Sequence, residues 1–340
     1  MDQQLNRSGF SKKDYSGAPS TLCKGCGHDT ITSAIIAAFY ELGISPYHVA
    51  KLSGIGCSSK TPAYFINLAH GFNGVHGRMP AAATGAALGN SRLVIIGVSG
   101  DGDTASIGLG QFAHMIRRNV NLVYLIENNG TYGLTKGQFS ATADVGSTSH
   151  YGEANVLPSI DCAALAIQMG TSFVARSFSG DRKQLVPLIK AAISHKGAAI
   201  LDVISPCVTF NDHGGSTKSY AYVKEHDIAL HEIDFVPPSR EIEVEIAPGQ
   251  TQEVRMHDGS LIVLKKLHEN YDPTNKLLAL QTLEKAASEK QLLTGLIYVN
   301  PKLPDLSQIL RQTEKPLAHL GELDLRPSKE MLDEINKTFL

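Results

Sequence analysis

Two apolar runs, LVIIGVSG at 93–100 and NLVYLIEN at 121–128, each end in a loop of small, acidic or amide residues. That pairing constrains the chain more than any other feature. A short β-branched and aliphatic run with no alternating polar side reads as a strand covered on both faces, the kind that belongs in a parallel sheet. The first run opens into Gly100-Asp101-Gly102-Asp103 and the second into Asn128-Asn129. Loops at the carboxyl ends of neighbouring parallel strands face one crevice, and ligands of such sheets bind there.

Helix-period segments alternate with these strands. They are predicted at 29–42 with Asp29 as N-cap, at 80–88 opened by Pro80, and at 106–118, 161–169 and 181–195. Further buried strands are predicted at 172–178 and 198–204. The alternation predicts an α/β fold, a doubly wound and mostly parallel sheet, over residues 1–228. Composition shifts after 228. EIEVEI (241–246), TQEVRM and LIVLKKL predict a short antiparallel meander, and Asp272-Pro273 opens a helix to about residue 289. Residues 229–340 are therefore expected to form a C-terminal extension, with a tail containing Pro301, Pro304 and Pro316 suited to a subunit contact.

Charge narrows the function classes. The 340 residues carry 31 Lys plus Arg against 33 Asp plus Glu, a net charge of −2. A nucleic-acid coat needs a basic excess, so no nucleic-acid partner is expected. No stretch approaches the ~20 uncharged apolar residues of a membrane helix, and the polar first seventeen residues lack the apolar core of a secretory signal. A cytoplasmic protein without a membrane partner is the expectation.

Asp101 and Asn129 are hard oxygen donors suited to Mg²⁺, which takes few protein ligands and completes its octahedron with phosphate and water. The glycines let backbone N–H groups approach a diphosphate at the positive end of a helix. A lone GDG is a common turn; GDG followed after such an interval by NN resembles the pattern of thiamine-diphosphate enzymes. Five cysteines without a signal peptide are chemistry before they are disulfides. Cys23 and Cys26 form a C-x-x-C, Cys57 lies in the glycine loop GIGCSSK, and Cys207 follows Pro206 after a strand. Four such thiolates suit either a structural Zn²⁺ or a [4Fe–4S] cluster, and spacing does not choose. Cys162, in the apolar segment DCAALAIQMG, reads as a buried inert thiol.

In this order, CKGCGH (23–28), GIGCSSK (54–60), HGR (76–78), GDGD (100–103), ENNGTYGLTKGQ (127–138) and SPC (205–207) resemble the β subunits of the 2-oxoacid:ferredoxin oxidoreductases, nearest the 2-oxoglutarate type. TGLIYVNP (294–301) resembles their C-terminal part. The resemblance implies that Cys23, Cys26, Cys57 and Cys207 hold one [4Fe–4S] cluster. It implies Mg²⁺ on Asp101, Asn129 and the Thr131 carbonyl, and thiamine diphosphate wrapped by Gly56, Ser58, Gly100, Gly102, Asp103, Tyr132, Gly133 and Leu134. Lys60, His76 and Arg78 are expected to face cofactor or substrate, with Lys60 on a substrate carboxylate.

The implied reaction takes 2-oxoglutarate, coenzyme A and oxidised ferredoxin to succinyl-CoA, CO₂ and reduced ferredoxin, or runs in reverse. The Glu that activates thiamine diphosphate lies, in that family, on a separate pyrimidine-binding domain. An α subunit is therefore the expected partner. Pyruvate or branched-chain 2-oxoacids stay open as substrates, and a non-redox thiamine decarboxylase or carboligase with a structural metal as an alternative.

Overall fold

The structure is a computed structural model that describes residues 4–213, 216–236, 251–255, 261–266 and 271–339. After an N-terminal arm the chain forms α1 (Gly27–Leu42), β1 (Val49–Ser53), β2 (His70–Asn73), α2 (Met79–Gly89), β3 (Val94–Gly100), α3 (Leu109–Arg117) and β4 (Leu122–Asn128). A small hairpin of β5 (Thr131–Tyr132) and β6 (Gln138–Phe139) follows. Then come α4 (Cys162–Gln168), β7 (Phe173–Phe178), α5 (Arg182–Ser194), β8 (Ala198–Ile204), α6 (Tyr220–His226) and β9 (Asp227–Ala229). The remainder holds β10 (His231–Val236), β11 (Thr251–Arg255), β12 (Leu261–Lys266), α7 (Lys276–Ser288), β13 (Leu292–Val299), α8 (Leu306–Ile309), α9 (Glu322–Leu325) and α10 (Lys329–Lys337).

Eight strands form the main sheet in the order β2-β1-β3-β4-β8-β7-β13-β9. All pairings from β2 to β7 are parallel, β13 runs antiparallel to β7, and β9 lies parallel to β13. Strand residues alternate between two cores, as the two-residue period of a pleated strand requires. Ile96, Val98, Val123 and Leu125 pack with α1 and α5 on one face, and Ile95, Leu122, Tyr124 and Ile126 with α2, α3, α4 and α7 on the other. Ile96 is fully buried in β3 within this core. Ile96→Ala is expected to cost about 2–5 kcal/mol of stability, read as a lower midpoint in chemical denaturation at unchanged slope.

The doubly wound sheet is as expected, with three local differences. The helix predicted from 106 begins earlier, as wide π-helical turns over Gly102–Ile107, and becomes α-helical only at Leu109. Such turns are frequent at functional sites; here Asp103 is drawn back toward the strands by Ser99 and Gly77. The run LLTGLIYV forms β13, so the chain beyond 228 contributes a strand to the main sheet. The meander's second and third strands, β11 and β12, pair antiparallel, and β10 pairs with β12 on its other side. Segment 241–246 lies outside the described residues. Among the described residues no helix is long and apolar enough to cross a membrane.

Candidate functional site

Four spatially consecutive parallel strands, β1, β3, β4 and β8, end on the same edge of the sheet. Their following loops carry Cys57, Gly100–Asp103, Asn128–Asn129 and Cys207. The crevice over that edge is a cavity lined by Gly56, Cys57, Ser58, His76, Gly100, Asp101, Gly102, Asp103, Asn129, Thr131, Tyr132, Gly133 and Leu134, together with His28, Ile55, Glu127 and Thr135.

Asp101 is buried and surrounded by neutral donors. The Asn129 N–H (3.3 Å), the Gly130 N–H (3.1 Å), the Thr142 hydroxyl (2.6 Å) and the Ser140 hydroxyl all donate to its carboxylate. Burial pushes its carboxyl up, and the hydrogen bonds offset this only in part. A buried carboxylate among neutral donors gains most from a hard cation. Asn129 Oδ1 accepts from the Thr131 N–H (3.1 Å) and keeps a second lone pair. The oxygen donors therefore fit Mg²⁺.

Asp103 holds the opposite wall. It accepts from the Gly77 N–H (2.6 Å), the Ser99 hydroxyl (2.6 Å) and, through a very short contact, the His76 ring. A Cβ on Gly54 would sit 1.7 Å from Asp103 Oδ2, so only glycine lets the β1 loop approach this closely. The Tyr132 hydroxyl donates to the Gly102 carbonyl (2.9 Å), and its ring fills the space a Gly102 side chain would need.

The thiols come from three places in the chain. Cys26 caps α1, and its N–H donates to the Cys23 carbonyl (3.0 Å). The Thr209 hydroxyl donates to Cys23 Sγ (3.6 Å), and His28 Nδ1 meets Ser205 Oγ at 2.6 Å, which ties the start of α1 to the loop after β8. A Cβ on Gly133 would lie 3.4 Å from Cys57 Sγ and 3.6 Å from Cys207 Sγ. Burial pushes the Cys26 thiol up to about 12, with Glu127 and Cys207 adding to it. Burial likewise raises Cys57, where Cys207 and Cys23 add to the shift and Lys60 opposes it. Cys207 is raised by burial and feels Cys23. Among the described residues no three His, Cys, Asp or Glu side chains meet closely enough for a single metal ion.

Lys60 and Arg78 stand outside the cavity lining, Lys60 half-buried on the turn after Cys57 and Arg78 exposed at the start of α2. Sequence reasoning assigned no role to Glu127 or His28. Glu127 is fully buried, takes the Thr61 hydroxyl on both oxygens (3.0 Å each) and lies 3.6 Å from His28 Nε2. Burial holds its carboxyl well above the usual range and pushes His28 down to about 4. An acidic residue ending a strand of otherwise apolar character was the available signal. Ser140 and Thr142, which hold Asp101, carried none. Cys162 is buried at the start of α4, its thiol pushed well up by burial, away from the other four.

Residues 54–203 match the family described as "Thiamine pyrophosphate enzyme, C-terminal TPP binding domain". The chain is 43% identical over 216 residues to the 2-oxoacid:ferredoxin oxidoreductase subunit beta of a Sulfolobus species, covering 63% of this chain and 68% of that one. The chain belongs to the 2-oxoacid:ferredoxin oxidoreductase beta subunits. Another relative, the 2-oxoglutarate synthase subunit KorB of Methanocaldococcus jannaschii, is 35% identical over 220 residues, 63% of this chain and 80% of the relative. A solved structure of the 2-oxoglutarate:ferredoxin oxidoreductase from Magnetococcus marinus, with 2-oxoglutarate, coenzyme A and succinyl-CoA bound, superposes with a TM-score of 0.76 at 27% identity. It covers 98% of this chain and 99% of that one. The α/β sheet of this beta subunit is thus the thiamine-pyrophosphate-binding fold, and the protein is one subunit of an oxidoreductase.

Proposed function

We propose that this beta subunit binds thiamine diphosphate, Mg²⁺ and one [4Fe–4S] cluster, and that with an α subunit it oxidises 2-oxoglutarate. Coenzyme A is acylated, CO₂ is released and two electrons pass to ferredoxin; with a strong enough donor the same site runs in reverse. The observation that carries this reading is a single cavity walled by the oxygen donors Asp101 and Asn129 and by the thiol of Cys57. The relatives named for 2-oxoglutarate support the substrate.

Thiamine diphosphate, when bound, supplies the electron sink that makes decarboxylation of a 2-oxoacid feasible. Asp101, Asn129 and the Thr131 carbonyl would hold the cation that carries its diphosphate. The backbone at Gly100 and Gly102 would approach the phosphates, and Asp103 would orient His76 at the wall. Ile55 and Leu134, both partly exposed to solvent, add apolar surface to the cavity lining. Gly56, Ser58, Tyr132 and Gly133 would shape the pocket around the cofactor. Lys60, outside the lining, is proposed to meet a substrate carboxylate, and Arg78, also outside it, to belong to a cofactor- or substrate-facing loop.

A tetrahedral zinc site needs four sulfurs about 2.3 Å from one ion. A cubane instead offers each thiolate its own iron, and the ferredoxin named for the relatives, an electron acceptor, supports the cluster. The activating Glu would come from the α subunit, and the setting would be cytoplasmic.

The αβ complex purified without oxygen is expected to contain about four irons and four sulfides per beta chain, with a broad brown absorbance that bleaches on reduction. Its kcat/KM for 2-oxoglutarate, followed by reduction of ferredoxin, is expected to exceed that for pyruvate. Zinc in place of iron under these conditions would overturn the redox reading, and a preference for pyruvate would overturn the substrate.

A further inference from the structure

We infer that the buried ion pair of Arg176 and Asp202 acts on Asp101 through Asn128 and Thr142, as a positioning network that tunes cation binding. The inference rests on the proposed role of Asp101 as a cation ligand and extends it to residues on the far side of the sheet edge.

A second cavity of about 410 Å³ lies beside the first, and Arg176, Asp202, Asn128 and Thr142 line it. Arg176, on β7, is fixed from two sides: Nε donates to Asp202 (2.9 Å) and Nη2 to Asp161 (2.6 Å). Asp161 is itself held by capping α4, where it accepts from the Ala164 N–H (2.9 Å). The other oxygen of Asp202, on β8, accepts from Asn128 Nδ2 (2.9 Å). That bond sets the Asn128 amide and turns its Oδ1 toward Thr142 Oγ1, 3.0 Å away. Thr142 Oγ1 in turn lies 2.6 Å from Asp101 Oδ2. From Arg176 through Asp202, Asn128 and Thr142 to Asp101 every residue is at least nine-tenths buried, so water is a poor substitute for those links, whereas Asp161 at the outer end is partly exposed.

The decisive detail is the proton count at Thr142. Its hydroxyl carries one proton and has three acceptors in reach, Asp101 Oδ2 at 2.6 Å, Asn128 Oδ1 at 3.0 Å and Ser140 Oγ at 3.0 Å, the last a hydroxyl that itself donates to Asp101. With no cation present, the Asp101 carboxylate is the stronger acceptor and takes the proton. A cation on Asp101 competes for the same electron density and lowers that demand. Asn128 then offers the proton another place to go, so the hydroxyl rotates at little cost. Without a correctly turned Asn128 Oδ1, the only alternative is the Ser140 hydroxyl, a weaker acceptor than an amide oxygen, and more of the Thr142 proton stays on Asp101 to oppose the cation. Arg176 and Asp202 matter because they hold Asn128 in the orientation that presents oxygen rather than N–H.

The test is a double-mutant cycle on the αβ complex, reading Mn²⁺ affinity by equilibrium dialysis with thiamine diphosphate present, alongside the melting temperature of the cofactor-free complex. Asn128→Ala is expected to weaken Mn²⁺ binding about tenfold, the worth of one hydrogen bond to a charged group. In a Thr142→Val background, where there is no proton to redirect, the same substitution is expected to change Mn²⁺ affinity by less than about twofold. Equal losses in both backgrounds would overturn the network, as would a lower melting temperature with unchanged Mn²⁺ affinity. Should Asn128→Ala not fold, Asp202→Asn is read in the same cycle, since it leaves Arg176 its bond to Asp161. Asp101→Ala separates the two levels of the argument. Unchanged Mn²⁺ binding there removes the cation assignment itself, whereas lost binding with an additive cycle removes only the network.

Discussion

Asp101→Ala is expected to strip the complex of thiamine diphosphate and magnesium together while leaving its iron in place. Removing groups that merely orient a metal ligand costs about 10–100-fold in affinity, so loss of the charged ligand itself is expected at or above the top of that range. Activity should fall by at least a comparable factor, because the cofactor supplies the chemistry. The Asp101 carboxylate draws its donors from residues 129–142, whereas Cys57 sits on the loop after β1. On the proposed assignment the two sites share a wall without sharing ligands, which is why iron should persist. The truncation also takes the buried acceptor from the Ser140 hydroxyl, at about 1–3 kcal/mol for an unsatisfied group, whereas the Thr142 hydroxyl turns to Asn128 Oδ1 at 3.0 Å. Asp101→Asn, nearly isosteric, separates lost binding from lost fold. Thiamine, magnesium and iron contents measured on one preparation decide the outcome. Co-loss of iron from a folded protein would mean that the oxygen and thiol sites are one unit.

Cys57→Ala is the complementary case. Iron and sulfide are expected to fall from about four per chain to near zero, and ferredoxin reduction with them, while thiamine diphosphate stays bound. Cys57 is the thiol that lines the cofactor cavity, and with Cys207 it closes on Gly133. Burial raises the Cys26, Cys57 and Cys207 thiols, which favours their protonated forms in the absence of a metal. A bound metal centre must draw those protons off, and its hold on the protein is correspondingly pH-dependent. Cys162→Ala is the control. Its thiol is buried away from the set, and iron content should not change. Full iron retention in Cys57→Ala would remove Cys57 from the ligand set and reopen the choice of metal.

Much of this was legible locally. LVIIGVSG and NLVYLIEN declare buried strands because each run is apolar on both faces, and AAILDVI does so to the residue. β1 and β2 were harder to see: VAKLS places Lys51 inside a buried strand, where its ammonium finds the Phe65 carbonyl, and all four residues of HGFN are exposed, Phe72 included. β13 went unread because Gly295 interrupts the run; in the structure Gly295 adopts a positive φ beside a register shift against β7. The helix expected from 106 was displaced because Asp103 is bound to groups far away in sequence, which no local pattern encodes.

The sequence by itself determined the chemistry available: four thiols in recognisable settings, a GDG and an NN after buried strands, and an alternation of elements that demands a sheet wrapped on both faces. These are properties of side-chain type and short spacing, and they survive without coordinates. Only the tertiary structure decided which of those groups meet. The order β1-β3-β4-β8 puts four loops from distant parts of the chain on one edge, places Glu127 against His28, and leaves Lys60 and Arg78 off the cavity wall. The same order threads Arg176 to Asp101 through three intervening side chains. Strand order is set by how whole faces are buried against helices, a balance summed over the domain, so no single motif carries it.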